Sequence, residues 1–159
     1  MRLPVSTSYG LVMMSYEDSP SILPSLIEEK SKVYPEFEKW FQDKVIGEKR
    51  PILKFFSQLQ TPNGLEFEEL GFVILKLCSD RSVKICTMHL DPKKSNATLL
   101  ATLLELTVRF CSGFPSIRLT VPRTKLRVLN GTIAANGFKV TGIQPRQDRG
   151  EEVAFVRGA

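Results

Sequence analysis

The segment 83–110 limits the possible folds more than any other part of the chain. Its first eight residues, Val83–Leu90, are rich in β-branched and apolar side chains and predict a strand. The polar stretch 91–96 contains a proline and predicts a turn. Apolar residues then recur at spacings of three and four, which indicates a helix over Ala97–Cys111.

A strand, a short turn and a helix N-terminus can together present backbone N–H groups to an anion. Ser95 or Asn96 is suited to the N-cap position of the helix. The alternative is a buried strand and a buried helix joined by a surface turn, which requires no ligand. The local pattern leaves both interpretations open.

The chain has 159 residues, of which 42% are hydrophobic and 25% are charged, so we expect one globular domain over 1–159, with 1–9 loosely held. It contains no bilayer-spanning apolar run and no recognisable signal peptide, which predicts a cytoplasmic protein without membrane contact. We expect Cys78, Cys86 and Cys111 to be free, buried thiols. A single histidine argues against a zinc site.

Positive charge is concentrated in the second half of the chain. Residues 1–80 carry 9 Lys and Arg against 12 Asp and Glu, a net charge of −3, whereas residues 81–159 carry 13 against 5, a net charge of +8. This excess predicts a phosphate-rich ligand or a nucleic acid, although a solvated basic surface has the same composition. Much of it comes from Arg118, Arg123, Lys125, Arg127, Lys139, Arg146 and Arg149.

The other elements are predicted from hydrophobic periodicity and turn residues. The predicted strands are Gly10–Met14, Ile52–Leu59, Leu70–Leu77, Val83–Leu90, Ser116–Val121, Phe138–Ile143 and Val153–Val156. The predicted helices run from Ser19 to Ser31, from Tyr34 to Val45, from Ala97 to Cys111 and from Arg123 to Asn136. These elements indicate an α/β fold with a mixed sheet, antiparallel in its N-terminal meander and parallel at its centre, and about four helices.

Several short motifs resemble, in order and spacing, those of the GCN5-related N-acetyltransferase (GNAT) family. They are Leu90-Asp91-Pro92 with Leu103-Leu104 eleven residues after the proline, Asn136-Gly137-Phe138 at a helix end, and the segments 34–41, 71–76 and 84–87. The resemblance covers most of the chain and implies a GNAT-like acyl-CoA N-acyltransferase fold. It also implies acetyl-CoA as co-substrate and a primary amine, on a small molecule or a protein, as acceptor.

The resemblance also assigns binding residues. It implies that the thioester and pantetheine of acetyl-CoA lie along the backbone of Met88, His89 and Leu90. The pyrophosphate would lie on the turn and the first turn of the helix, which comprise Lys93, Lys94, Ser95, Asn96, Ala97, Thr98, Leu99 and Leu100. The family opens its sheet at the Pro92 corner, so Val83–Leu90 should separate from Ser116–Val121 at one end.

This sequence departs from the family pattern at five positions. Ser95 stands where the family has Arg or Gln, and Thr98 and Leu100 stand where it has glycines that let the backbone approach phosphate. Ile133 stands where the family has the tyrosine that acts as general acid. Leu126 stands where the family often has an asparagine. These departures motivate an alternative, a GNAT-like module that binds a partner without catalysis. A nucleic-acid-binding protein is a weaker alternative.

The candidates for proton transfer are few. His89 has an ordinary pKa suited to the task, and Glu69 could act through a water molecule. Both have simpler interpretations, a packed strand histidine and a solvated turn carboxylate. By resemblance, Tyr34, Trp40 and Phe41 could line the acceptor groove, although an aromatic helix face packed on a sheet has the same pattern.

Overall fold

The computed structural model describes residues 6–14, 23–146 and 150–158. Its strands are β1 Ser6–Met13, β2 Ile52–Thr61, β3 Gly64–Leu77, β4 Val83–Leu90, β5 Ser116–Pro122, β6 Lys139–Arg146 and β7 Gly150–Gly158. Its helices are α1 Leu23–Val33, α2 Phe37–Trp40, α3 Ala97–Phe110 and α4 Arg123–Ala135. A π-helical segment, Phe41–Ile46, directly continues α2.

The described strands form a seven-stranded sheet in the order β1-β2-β3-β4-β5-β7-β6. Strands β1 to β4 are an antiparallel meander, β4 and β5 are parallel, and β5, β7 and β6 are again antiparallel. The mixed sheet, its antiparallel N-terminal meander, its parallel centre and the four helices are therefore as predicted.

The sheet has a hydrophobic core on each face. Helices α3 and α4 cover one core, and α1, α2 and the π-helical segment cover the other. Strand β3 contributes to both, because Val73 and Leu75 face the first core while Phe72 and Ile74 face the second. This double burial explains why 70–77 is almost continuously apolar.

Helix α3 begins at the N-cap that the sequence offered. The Asn96 side chain accepts a hydrogen bond of 2.8 Å from the Leu99 N–H, so Asn96 rather than Ser95 is the cap. Gly137 follows α4 with a φ of +83°, as expected for a residue that ends a helix. The longest described helix, α3, has 14 residues, and none of the helices in the described ranges is long and apolar enough to cross a membrane.

Several predicted boundaries were wrong because strand pairing extends beyond the buried residues. Strand β3 begins at Gly64 rather than Leu70, since the exposed residues 65–68 still pair with β2. Likewise β1 begins at Ser6, so 6–9, expected to be loosely held, are paired, while 1–5 lie outside the described residues.

The second predicted helix also differs. It was expected as one helix from Tyr34, but α2 begins at Phe37 and changes to π-helical geometry at Phe41. The predicted start of the first helix at Ser19 lies outside the described residues, and α1 is described from Leu23 onward.

Candidate functional site

Strands β4 and β5 separate partway along the sheet. They pair over only three residues, from Val83 opposite Ile117 to Ile85 opposite Leu119. Beyond this point β4 remains paired with β3, and β5 remains paired with β7. A V-shaped opening therefore lies between two well-paired halves of the sheet, and the predicted separation of these strands is confirmed.

Strand β4 carries a bulge where the opening begins. In the β3–β4 register, Ile74 lies opposite Thr87 and Leu75 lies opposite Ile85, so Cys86 is an extra residue. Bulges increase local twist and occur often beside active sites. The bulge turns β4 away from β5 and leaves its β5-facing backbone groups without a ladder partner on the described part of that strand.

A cavity of about 640 Å³ passes through the opening. Its walls include residues from both faces of the sheet. Leu100 and Leu129 belong to the α3/α4 face, whereas Tyr34 and Trp40 belong to the α1/α2 face. Volumes of this size are typical of small-molecule sites. The cavity connects the two faces beside the bulge.

Solved structures share this architecture. An IAA acetyltransferase from Bacillus cereus ATCC 14579 superposes with a TM-score of 0.66 at 11% identity, covering 96% of this chain and 100% of that one. An acetyltransferase from Bacillus subtilis in complex with CoA gives 0.60 at 12% identity, covering 96% and 99%. A GNAT family acetyltransferase from Elizabethkingia anophelis with acetyl-CoA bound gives 0.57 at 11% identity, covering 95% and 98%. The chain has the GNAT fold.

No protein-family model matches the chain, and no curated protein matches it in sequence. At these low identities the likeness to solved structures establishes the GNAT fold, and the chemistry of the site depends on the residues described next.

The predicted residues of β4 are distributed over different environments. Met88 lines the cavity, whereas Leu90 is buried in the α3/α4 core. His89 is buried on the α1/α2 face, against the ring of Phe72 at 5.3 Å between centroids. Of these three side chains, only that of Met88 reaches the cavity, and a role for the backbone of all three stays a prediction.

His89 is buried against Phe72 and lies near charged groups of both signs, Glu29, Asp91, Lys30 and Lys125. Its Nδ1 lies 3.6 Å from Oε2 of Glu29 in α1, and among the described residues its buried Nε2 has no hydrogen-bond partner. Burial lowers the pKa of His89 below its ordinary value, an effect that Glu29 opposes. The imidazole is therefore neutral at neutral pH and able to accept a proton.

Glu69 lies outside the cavity. Its Oε1 accepts a hydrogen bond of 2.9 Å from Nζ of Lys54, and its backbone oxygen accepts one of 3.3 Å from Nζ of Lys94. Glu69 is not among the residues that line the cavity, whereas Met88 and Leu100 are. Its proposed role through water stays a prediction.

Several polar groups of the turn before α3 already have hydrogen-bond or ion-pair partners. Lys94 forms an ion pair of 2.7 Å with Glu68, and Asp91 accepts a hydrogen bond from the Lys93 N–H. The N–H groups of Leu99 and Leu100 are bonded to Asn96, so phosphate donors are restricted to residues before Leu99. Thr98 is exposed, as are Ser95, Asn96 and Ala97.

The α1/α2 face has an aromatic wall. Tyr34 and Trp40 line the cavity, whereas Phe41 points into the core with 1% of its surface exposed. That Tyr34 and Trp40 border an acceptor groove stays a prediction. Trp40 also lies under Arg50, whose guanidinium carbon is 5.5 Å from the ring centroid.

Hydroxyl groups in the cavity offer possible proton donors. Ile133, which stands at the position of the family's tyrosine, is buried in the α3/α4 core. The hydroxyls that do line the cavity belong to Tyr34, Thr87 and Thr120. Cys86 also lines it, but burial raises the pKa of its thiol, which therefore stays protonated at neutral pH.

The cysteines are free, as predicted, but only Cys111 is fully buried, while Cys78 and Cys86 are half-buried. Burial raises the pKa of the Cys111 thiol to about 11. This thiol therefore packs as a small apolar group.

Cationic side chains of the cavity were missed by the sequence interpretation. The walls contain five cations and two carboxylates, namely Lys30, Arg50, Lys76, Lys84, Lys125, Glu36 and Glu152. They come from separate elements that meet only in the folded chain. Lys76 and Lys84 gave the one available signal, since each interrupts an otherwise apolar strand.

Lys30 is chemically distinct among these cations. Burial, together with the nearby charge of Lys125, lowers the pKa of Lys30 to about 8. Below this pH both the folded and the unfolded chain hold the proton, and the folded state carries the full cost of a desolvated charge. Between about 8 and the ordinary lysine value near 10.4, the folded protein releases the proton first, so its stability rises with pH.

Lys30→Met is therefore expected to stabilise the protein at pH 7, by roughly 1–3 kcal/mol, and to lose this advantage by about pH 10.5. Urea unfolding of both proteins at pH 7, 8.5 and 10.5 measures the difference. Lys139→Met, at an exposed position on β6, is the matched control. A difference between Lys30→Met and wild type that does not change with pH would contradict the assignment.

Two arginines of the basic half are already paired with acids. Arg118 forms an ion pair with Asp80, and Arg123 forms one with Glu151. These exposed pairs reduce the charge that those residues can offer to a nucleic-acid backbone. Four lysines, Lys30, Lys76, Lys84 and Lys125, lie around the cavity.

Proposed function

We propose that the protein is an N-acetyltransferase that transfers acetyl from acetyl-CoA to a primary amine. The observation that carries this proposal is the cavity through the opening between β4 and β5. A pantetheine arm from the α3/α4 face and an amine from the α1/α2 face would meet beside the bulge at Cys86. The predicted extent of one domain over 1–159 and the cytoplasmic location remain part of this proposal.

The chain offers groups suited to acetyl-CoA. The unpaired edge of β4 near Met88 can hydrogen-bond the pantetheine amides and polarise the thioester carbonyl. The N–H groups of Ala97 and Thr98, at the start of α3, are the donors available to a pyrophosphate. Lys93 is exposed beside them and adds positive charge.

The reaction forms one bond and breaks another. The amine nitrogen bonds to the acetyl carbon, the carbon–sulfur bond breaks, and the proton lost by the amine balances the one gained by the thiolate of CoA. The acceptor must lose its proton before it can attack. His89 is proposed as the group that receives this proton, because it is neutral and two residues from Thr87 in the cavity wall. Since its side chain does not line the cavity and its Nε2 is buried, water would have to reach Nδ1, the nitrogen that faces Glu29.

His89→Gln is expected to lower kcat by roughly 100-fold, the lower end of the range for a general base, and to leave acetyl-CoA affinity unchanged. Glu69→Gln is the comparison variant, since Glu69 is the second candidate for this step but is paired with Lys54. Steady-state kinetics and acetyl-CoA titration measure both effects. Equal activity of wild type and His89→Gln would exclude His89, and a larger loss in Glu69→Gln would favour Glu69.

A thiol-release assay tests the proposed function. Purified protein is incubated with acetyl-CoA and a panel of primary amines, and free CoA is measured together with the mass of each acetylated amine. Amine-dependent CoA release supports the proposal. Absence of release with every amine favours the alternative of a binding module, which the Asn96 cap on Leu99 also favours because it removes one phosphate donor.

A further inference from the structure

The floor of the cavity on the α1/α2 face carries two lysines directly opposite each other. Lys76 of β3 and Lys84 of β4 are register partners, so their side chains leave the same face of the sheet. Both line the cavity and both are half-buried. The fold thus brings two positive charges together at one end of the acceptor side.

This arrangement destabilises the sheet unless an anion lies between the two ammonium groups. Like charges directly opposite in adjacent strands destabilise a sheet. Among the residues that the structure describes, no carboxylate lies within 4.0 Å of either ammonium group. The charge of Lys76 acts on the carboxylate of Glu48. Glu48 is already ion-paired with Arg50 at 2.9 Å and with Lys44 at 3.7 Å.

The cavity wall beside these two lysines is also cationic, because it contains Arg50. Arg50 is held by Glu48 above the ring of Trp40, and its Nη1 points toward Sγ of Cys86 at 3.7 Å. The cavity also has two carboxylates. Glu36 is exposed at the start of α2, on this same face, and Glu152 is buried on β7. An anion entering from this face would therefore meet lysines, a guanidinium and aromatic rings, together with the exposed carboxylate of Glu36.

We infer that the acceptor is a small amine that carries a carboxylate or phosphate, which Lys76 and Lys84 bind. This inference rests on the proposed acetyl transfer. Lys84 precedes the bulge at Cys86 by two residues, so roughly 7 Å of strand separates the anion from the transfer point. A cavity of about 640 Å³ has room for such a molecule beside a pantetheine arm.

Matched amines isolate the contribution of negative charge. O-phosphoethanolamine is compared with ethanolamine, and β-alanine with β-alaninamide, with 1,3-diaminopropane as the cationic amine. We expect kcat/KM to be about 10-fold or more higher for the anionic member of at least one pair. The pair that shows the larger ratio distinguishes a phosphate from a carboxylate. Equal values within both pairs, or a preference for 1,3-diaminopropane, would overturn the inference.

Lys84→Gln should bring the ratio of kcat/KM between O-phosphoethanolamine and ethanolamine close to 1, through a higher KM for the anionic amine. Folding is not expected to be impaired, because the change relieves repulsion with Lys76. Lys139→Gln, an equal charge change on the exposed surface of β6, is expected to behave as wild type. The same loss in Lys139→Gln would show that only overall charge matters and would overturn the inference.

Binding without turnover separates this inference from the proposed function. Trp40 is the only tryptophan and lines the cavity, so its fluorescence reports on the site. A saturable change is expected with the anionic amines, but not with their neutral partners or with Lys84→Gln. A flat titration for both anionic amines overturns the anion site. A saturable response in a protein that binds no acetyl-CoA supports the anion site and rejects acetyl transfer.

Discussion

Gly71→Ala is expected to destabilise the protein by about 3 kcal/mol, at the upper end of the usual cost of overpacking. A Cβ at Gly71 would lie 2.0 Å from the backbone oxygen of His89 and 3.0 Å from Cα of Leu90. Both are backbone atoms of β4 in the paired register, so no side chain can rotate away. Urea unfolding followed by circular dichroism measures the loss.

Gly131→Ala is the matched control. Gly131 lies inside α4, and an added Cβ would meet no atom within 4 Å. Alanine there should stabilise the protein by roughly 0.5–1 kcal/mol, because it lowers the entropy cost of forming the helix. Similar effects of the two substitutions, or a neutral Gly71→Ala, would contradict the close approach of β3 and β4 at this position.

Thr120→Trp is expected to weaken acetyl-CoA binding by roughly 100-fold or more, the loss typical of a central binding position. Thr120 follows Leu119, the last residue of β5 that pairs with β4, and it lines the cavity where the strands separate. An indole there would fill the opening through which the pantetheine arm is proposed to pass. Because Thr120 is only half-buried, the bulky side chain is expected to be tolerated.

Thr141→Trp controls for the addition of a tryptophan to the sheet, since Thr141 is exposed on β6. It should bind acetyl-CoA as wild type does. Circular dichroism must show that both variants are folded before their affinities are compared. Unchanged acetyl-CoA binding by folded Thr120→Trp would mean that the cofactor does not pass between β4 and β5.

The sequence predicted those parts of the fold that depend on local patterns. Val83–Leu90 matched its strand because it is rich in β-branched and apolar residues, and Asn96 and Gly137 marked helix ends through their own chemistry. Separation of β4 from β5 was predicted through the Pro92 corner and the family resemblance. The strand end 65–68 was missed although Leu65 and Phe67 alternate there with Glu66 and Glu68, the pattern of a strand.

The candidate site was predictable only in part, because it depends on register and helix placement. Lys76 and Lys84 are 8 positions apart in the chain, and the β3–β4 register next to the 78–82 turn sets them side by side. Glu29 reaches His89 because α1 lies over β4, which no local pattern specifies. Phe41 packs in the core, as expected for an aromatic helix face on a sheet, and helical spacing did not show that Trp40 beside it reaches the cavity.

Calorimetric titration of the wild-type protein with acetyl-CoA tests the central claim most directly. The account predicts saturable binding in the micromolar range, with one site per chain, competition by CoA, and loss of the signal in Thr120→Trp but not in Thr141→Trp. No detectable heat at millimolar acetyl-CoA, on protein shown to be folded, would contradict it and would leave a GNAT fold that serves as a binding module.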